Sequence, residues 1–212
     1  MNIISHRGYW QSDVEKNTEI AFERSFRLGF GTETDVRDCQ GKLVISHDIP
    51  TGNEILMSRF LEIYKASGCG KTLALNIKSD GLQYPLMKLL EDYEVLNYFI
   101  FDMSVPDALS SIKSGLTAYT RQSEYEKECS FYELSNGVWM DEFSTDWIDL
   151  QSIKIHLKNN KKVCIVSPEL HGREYLSKWK KYKEITKVLD SKNITLCTDL
   201  PELAEELING KN

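Results

Sequence analysis

Short apolar runs alternate with amphipathic stretches along almost the whole chain, and this rhythm constrains the fold more than any other feature. Runs at residues 3–8, 31–36, 73–78, 98–103, 116–121, 138–141, 162–166 and 194–198 read as strands, with a further one at 43–48. Helical patterning lies between them, over 18–28, within 49–66, over 85–93 and 106–112, then over 147–157, 175–189 and 201–208. Successive strand, helix and strand segments are the signature of a parallel sheet, because parallel neighbours need a long crossover. With 212 residues and no linker, low-complexity segment or strong repeat, a single α/β domain over residues 1–212 is expected.

Hydrophobic residues make up 41% and charged residues 27%, as in an ordinary globular protein. The net charge of −6 supplies no broad basic face, which argues against nucleic acid as a partner. Small anionic ligands stay compatible through local Arg and Lys. No apolar run approaches a membrane span. Met1 directly precedes the first strand, with no room for a signal peptide, so a cytoplasmic location is expected. The cysteines, Cys39, Cys69, Cys129, Cys164 and Cys197, are odd in number and lack CxxC spacing; reduced thiols are expected, and zinc is not supported.

Chemistry-bearing residues concentrate in the first 48 positions. Ile3-Ile4-Ser5-His6-Arg7-Gly8 reads as a buried strand ending on a histidine, an arginine and a glycine that lets the chain turn. In Gly31-Thr32-Glu33-Thr34-Asp35-Val36, Glu33 and Asp35 are two apart and share one face. Two buried like charges call for a cation or cationic side chains between them; a divalent ion is the economical answer, and Mg²⁺ or Ca²⁺ suits carboxylate oxygen, while the alternative is an exposed edge-strand pair. Leu43 to Asp48 ends on a second histidine, His47. One imidazole can take a proton while another gives one, so the set suggests acid–base chemistry beside a metal. Arg7 offers a planar fork for phosphate or carboxylate.

Ser67-Gly68-Cys69-Gly70-Lys71-Thr72 superficially suggests a phosphate loop, but Lys65 stands where the first glycine belongs and the stretch precedes a strand. It reads as a helix-ending turn. The strand after it places Asn76 and Lys78 on one face. The basic run Lys178, Lys180, Lys181 and Lys183 reads as the solvated face of its helix, and Trp139 as core or pocket wall.

His6-Arg7-Gly8, Asn17-Thr18 with Ala21-Phe22, Glu33-Thr34-Asp35-Val36 and His47-Asp48 together resemble, in order and spacing, the glycerophosphodiester phosphodiesterases. These belong to the phospholipase-C-like phosphodiesterase superfamily. The resemblance implies a single-domain (β/α)₈ TIM barrel, trimmed relative to the roughly 250 residues usual for that fold, with the active site at the C-terminal ends of the strands. It implies His6 and His47 as the acid–base pair and a divalent metal, Mg²⁺ or Ca²⁺, at Glu33, Asp35 and Asn76. Two departures stand out. Asn76 replaces the usual glutamate ligand, and Lys16 replaces the glutamate common before Asn-Thr. Lys78 matches the family lysine and would stabilise charge on a phosphoryl oxygen.

In such a barrel Arg121, Asp141, Glu169 and His171 are placed to reach the substrate, with 167–173 as a specificity loop. Asp141 can instead cap the next segment, and His171 can be a solvated loop residue. The expected function is hydrolysis of a small glycerophosphodiester or related sugar or polyol phosphodiester. The alternatives are phosphoinositide-type phospholipase C or lyase chemistry, or a weakened barrel that binds a phosphorylated ligand. No membrane-docking segment accompanies the lyase alternative.

Overall fold

The computed structural model describes residues 1–68 and 70–210. Cys69, and with it one position of the expected 67–72 turn, lies outside the described residues, as do 211 and 212 of the expected domain span. The chain divides into two compact units, one of residues 5–118 and one of residues 1–4 with 119–212. Strand β1 (Asn2–His6) contributes to both.

In the first unit, helix α1 (Glu19–Arg27) follows β1 and leads into β2 (Gly31–Cys39). A hairpin then returns the chain as β3 (Lys42–Ile45), antiparallel to β2 with Cys39 opposite Lys42. Its two turn residues, Gln40 and Gly41, have φ of 50° and 76°, the left-handed pair that matches the twist of flanking strands. Helix α2 (Met57–Ala66), β4 (Leu73–Ile77), α3 (Gln83–Asp92), β5 (Tyr98–Phe101) and α4 (Val105–Lys113) complete the unit. β2, β4 and β5 are parallel neighbours, and their register aligns Asp35 with Asn76 and Asn76 with Phe101.

The spacing of Ala21, Phe22, Ser25 and Phe26 puts one buried face on α1. Phe22 meets Phe60 of α2 edge-on at 4.7 Å between ring centres, and Phe26 meets Tyr64 at 5.5 Å. Beneath them, the Ser5 hydroxyl lies 2.8 Å from Ser25 Oγ and donates to Thr32 Oγ1 at 2.9 Å. These buried hydroxyls tie β1, α1 and β2 together with their polar groups paired. The 67–72 stretch lies between α2 and β4. Tyr64 Oη accepts from Gly70 N at 3.0 Å and donates to Lys71 O at 2.9 Å, closing the turn.

In the second unit, β6 (Tyr119–Ser123), β7 (Gly137–Asp141), β8 (Lys162–Val166) and β9 (Ile194–Thr198) are parallel and adjacent in that order. Helices α5 (Leu150–Lys158), α6 (Leu176–Val188) and α7 (Pro201–Ala204) connect and follow them. A Cβ on Gly137 would lie 2.5 Å from the Tyr119 ring and 2.6 Å from Lys162 O, so only glycine admits both neighbouring strands there. Trp139 is buried in β7. Cys164 and Cys197 are buried in β8 and β9, and neither they nor Cys39 and Cys129 form a disulfide.

Two sequence expectations need correction here. Helix α5 starts at Leu150 rather than 147, because Asp149 and Ser152 form a reciprocal capping box that sets its first turn. Lys178 is not on a solvated face: its side chain is 2% exposed, and Nζ donates to Glu142 Oε1 at 2.7 Å and Ile148 O at 2.9 Å. Lys180 and Lys181 are exposed as expected. Lys178 shares the inward face of α6 with Trp179 and Tyr182.

Candidate active site

The exit of β1 is shaped by two successive left-handed residues, Arg7 at φ 57° and Gly8 at φ 81°. A Cβ on Gly8 would lie 2.7 Å from Ala21 Cβ, so the His-Arg-Gly turn can seat against α1 only with glycine in its third place. Arg7 N donates to Glu33 O at 2.9 Å and lies 3.2 Å from Glu33 Oε2. His6 Nε2 lies 3.9 Å from the same carboxylate oxygen, and the His6 carbonyl accepts from Trp10 Nε1 at 3.1 Å. Asn17, also left-handed at φ 59°, donates from its backbone to Arg7 O at 2.9 Å. Non-glycine residues in this region carry strain that the surrounding contacts must hold.

Glu33 is 2% exposed and Asp35 is completely buried, so the pair is interior rather than an edge-strand pair. Asp35 draws together Arg7, whose Nε lies 3.1 Å from Oδ2, and Lys78, whose Nζ lies 3.3 Å from Oδ1. Neither contact is aligned as a hydrogen bond. Asn17 Nδ2 makes the aligned bond to Asp35 Oδ2 at 2.9 Å, while its Oδ1 accepts from Thr34 Oγ1 at 2.8 Å. Burial, reinforced by the Asp35 charge, pushes the Glu33 carboxyl well above the ordinary range; Arg7 and Lys78 oppose that shift.

Asn76, paired with Asp35 across the β2–β4 ladder, is 8% exposed. Its Nδ2 donates to Asp102 Oδ2 at 3.2 Å, and its Oδ1 is buried without a hydrogen-bond partner. His47 lies beyond the end of β3 with its side chain 45% exposed; Nδ1 is 2.9 Å from Asp48 Oδ1, and its carbonyl accepts from Arg37. That imidazole contact holds the Asp48 carboxyl below its usual range.

In the second unit the remaining candidates form local pairs. His171 Nε2 lies 2.7 Å from Asp141 Oδ1, with the Phe143 ring 4.8 Å from the imidazole. Asp141 is therefore engaged by a side chain rather than by the start of a helix, and His171 is only partly exposed. Glu169 is bonded by the hydroxyls of Ser167 and Thr198 and accepts from Asp199 N at 3.2 Å; burial raises its pKa. Arg121 sits in mid-strand, because β6 runs on to Ser123, and it pairs with Glu126 at 2.8 Å.

Among the described residues, no three His, Cys, Asp or Glu side chains gather as a metal cage. The donor set around Asp35 is of a different kind: two carboxylates and an amide oxygen. The buried, unpaired Asn76 Oδ1 beside a carboxylate oxygen that lacks a hydrogen bond fits a hard divalent ion. Two participants carry no clear sequence signal. Asn17 is legible as part of a motif but not as the Asp35 clamp, and Asp102 is visible only as an acid after the apolar 98–101 run.

No protein-family model matches the chain, and no curated protein matches it. Solved structures do. A glycerophosphodiester phosphodiesterase from Agrobacterium tumefaciens is 16% identical, with a TM-score of 0.69 over 99% of this chain and 100% of that one. A phosphodiesterase from Oleispira antarctica, solved with the product sn-glycerol-3-phosphate, is 17% identical, with a TM-score of 0.72 over 99% and 97%. A glycerophosphodiester phosphodiesterase from Thermotoga maritima is 17% identical, with a TM-score of 0.61 over 97% of each chain. The fold is thus the (β/α)₈ TIM barrel, similar over nearly the full chain to that of glycerophosphodiester phosphodiesterases.

Proposed function

We propose that this chain is a phosphodiesterase that hydrolyses a small glycerophosphodiester or a related sugar or polyol phosphodiester. The observation that carries the reading is the buried Glu33–Asp35 pair, flanked by His6, Arg7 and Lys78, with Asn76, whose amide oxygen is unpaired, as the ladder partner of Asp35. Glu33, Asp35 and Asn76 would hold a divalent ion, Mg²⁺ or Ca²⁺. When bound, that ion would supply positive charge to the non-bridging phosphoryl oxygens.

Arg7 and Lys78 lie beside Asp35 and present cationic groups to the same phosphoryl charge. His6 and His47 divide the proton work: one removes the proton of the attacking water or vicinal hydroxyl, and the other returns a proton to the departing alkoxide. Asp48 orients the His47 ring through Nδ1 and so presents Nε2 for transfer. Asp141, Glu169, His171 and Arg121 are assigned to the alcohol portion of the substrate. Asp141 and His171 already form one hydrogen-bonding unit able to meet a hydroxyl. Residues 1–212 act in this reading as one domain in the cytoplasm. Among the described residues, no helix is long and apolar enough to cross a membrane.

The test is release of alcohol from a panel of glycerophosphodiesters, with Mg²⁺, Ca²⁺ or chelator, by the native protein and by His6→Ala and His47→Ala. Each variant is expected to lose about 10²-fold or more in kcat without a shift in its unfolding midpoint. Native-like turnover in either variant removes that histidine from the reaction. A native protein that binds sn-glycerol-3-phosphate but turns over no diester would instead support the phosphate-binding alternative raised by Asn76.

A further inference from the structure

The residue after β5 does something that a continuing strand would not allow. Phe101 is the register partner of Asn76, so the next side chain along an extended strand would point to the opposite face. Asp102 instead adopts φ 67°, a left-handed conformation that Asp tolerates better than most residues. The carboxylate thereby accepts the Asn76 Nδ2 hydrogen bond at 3.2 Å. An amide has one donor end and one acceptor end, so engaging Nδ2 dictates where Oδ1 goes. Asn76 is 8% exposed, its Oδ1 has no partner, and its neighbour across the ladder is Asp35.

We propose that Asp102 is a positioning residue that lets an asparagine serve as a metal ligand: it holds the amide with Oδ1 turned toward the Glu33–Asp35 pair. It also places beside the site the negative charge that a glutamate at position 76 would have carried. A carboxylate at position 76 would need no such orientation, because either of its oxygens can ligate. Asn76 and Asp102 are therefore one device split between β4 and the exit of β5. The inference rests on the metal-site reading above and goes beyond it in making this site depend on a residue of β5's exit.

The test is calorimetric titration of the purified, metal-free protein with Mn²⁺, which reads binding without turnover. Asp102→Gly keeps the left-handed backbone accessible and removes the acceptor; Asp102→Ala takes its place if the glycine variant does not fold. The expected result is an affinity loss of about tenfold or more. Asp102→Asn, whose amide oxygen can still accept from Asn76 but which carries no charge, should recover the part of that loss due to orientation. In an Asn76→Glu background, Asp102→Gly should leave Mn²⁺ affinity unchanged or tighter. An equal loss in both backgrounds, or no loss in the native background, overturns the proposal while leaving the metal site standing. A native protein that takes up no Mn²⁺ overturns the metal site and this inference together.

Discussion

Each unit buries acidic side chains within or just after its strands, but it treats them differently. In the second unit Glu142 is met by Lys178 at 2.7 Å, and Glu169 by two hydroxyls and a backbone amide. In the first unit Asp35 has two cations close by without hydrogen-bond alignment, Glu33 is held with a raised pKa, and Asn76 Oδ1 has no partner. Groups that serve stability are more nearly saturated where they stand, although Glu142 Oε2 has no hydrogen-bond partner. Groups kept short of their full set of partners cost stability and retain the capacity to bind.

Lys178→Met removes the cation hydrogen-bonded to the buried Glu142, leaving only Arg173 at 4.0 Å, and should cost about 3–5 kcal/mol in urea unfolding. Adding Glu142→Gln should return much of the loss, and a single variant as stable as native protein would mean that the pair is not structural. In the first unit the sign reverses. Glu33→Gln removes a desolvated carboxyl, so in chelator at pH 8 it should raise unfolding free energy by on the order of 1 kcal/mol. Mn²⁺ uptake should fall at the same time; a destabilised variant would place Glu33 among the saturated groups.

Burial raises the Glu169 pKa above its ordinary 4.5, so its contribution to stability is present below that value and is lost as pH rises through the folded pKa. The stability of native protein relative to Glu169→Gln should therefore decline as pH rises above 4.5, read from unfolding midpoints across a pH series. A flat difference would show that the hydroxyls compensate the charge fully.

The strand and helix order was legible because each element carries its own period of apolar residues. The first carboxylate pair was legible for the same reason: residues two apart on a strand share a face whatever surrounds them. Those features, with the glycine of the His-Arg-Gly turn, follow from local backbone geometry and were determined by the sequence itself. Tertiary structure decided the rest. Lys178 reads as part of a solvated basic run until α6 turns it onto Glu142. Arg121 looks like a strand end until β6 pairs on to Ser123 beside Asp141. Asp102 has no local signal at all, since its role depends on a left-handed exit from β5 and on an amide 26 positions earlier in the chain. Periodicity reports which face a side chain takes, whereas the partner it finds there depends on contacts between distant segments, which the folded chain alone brings together.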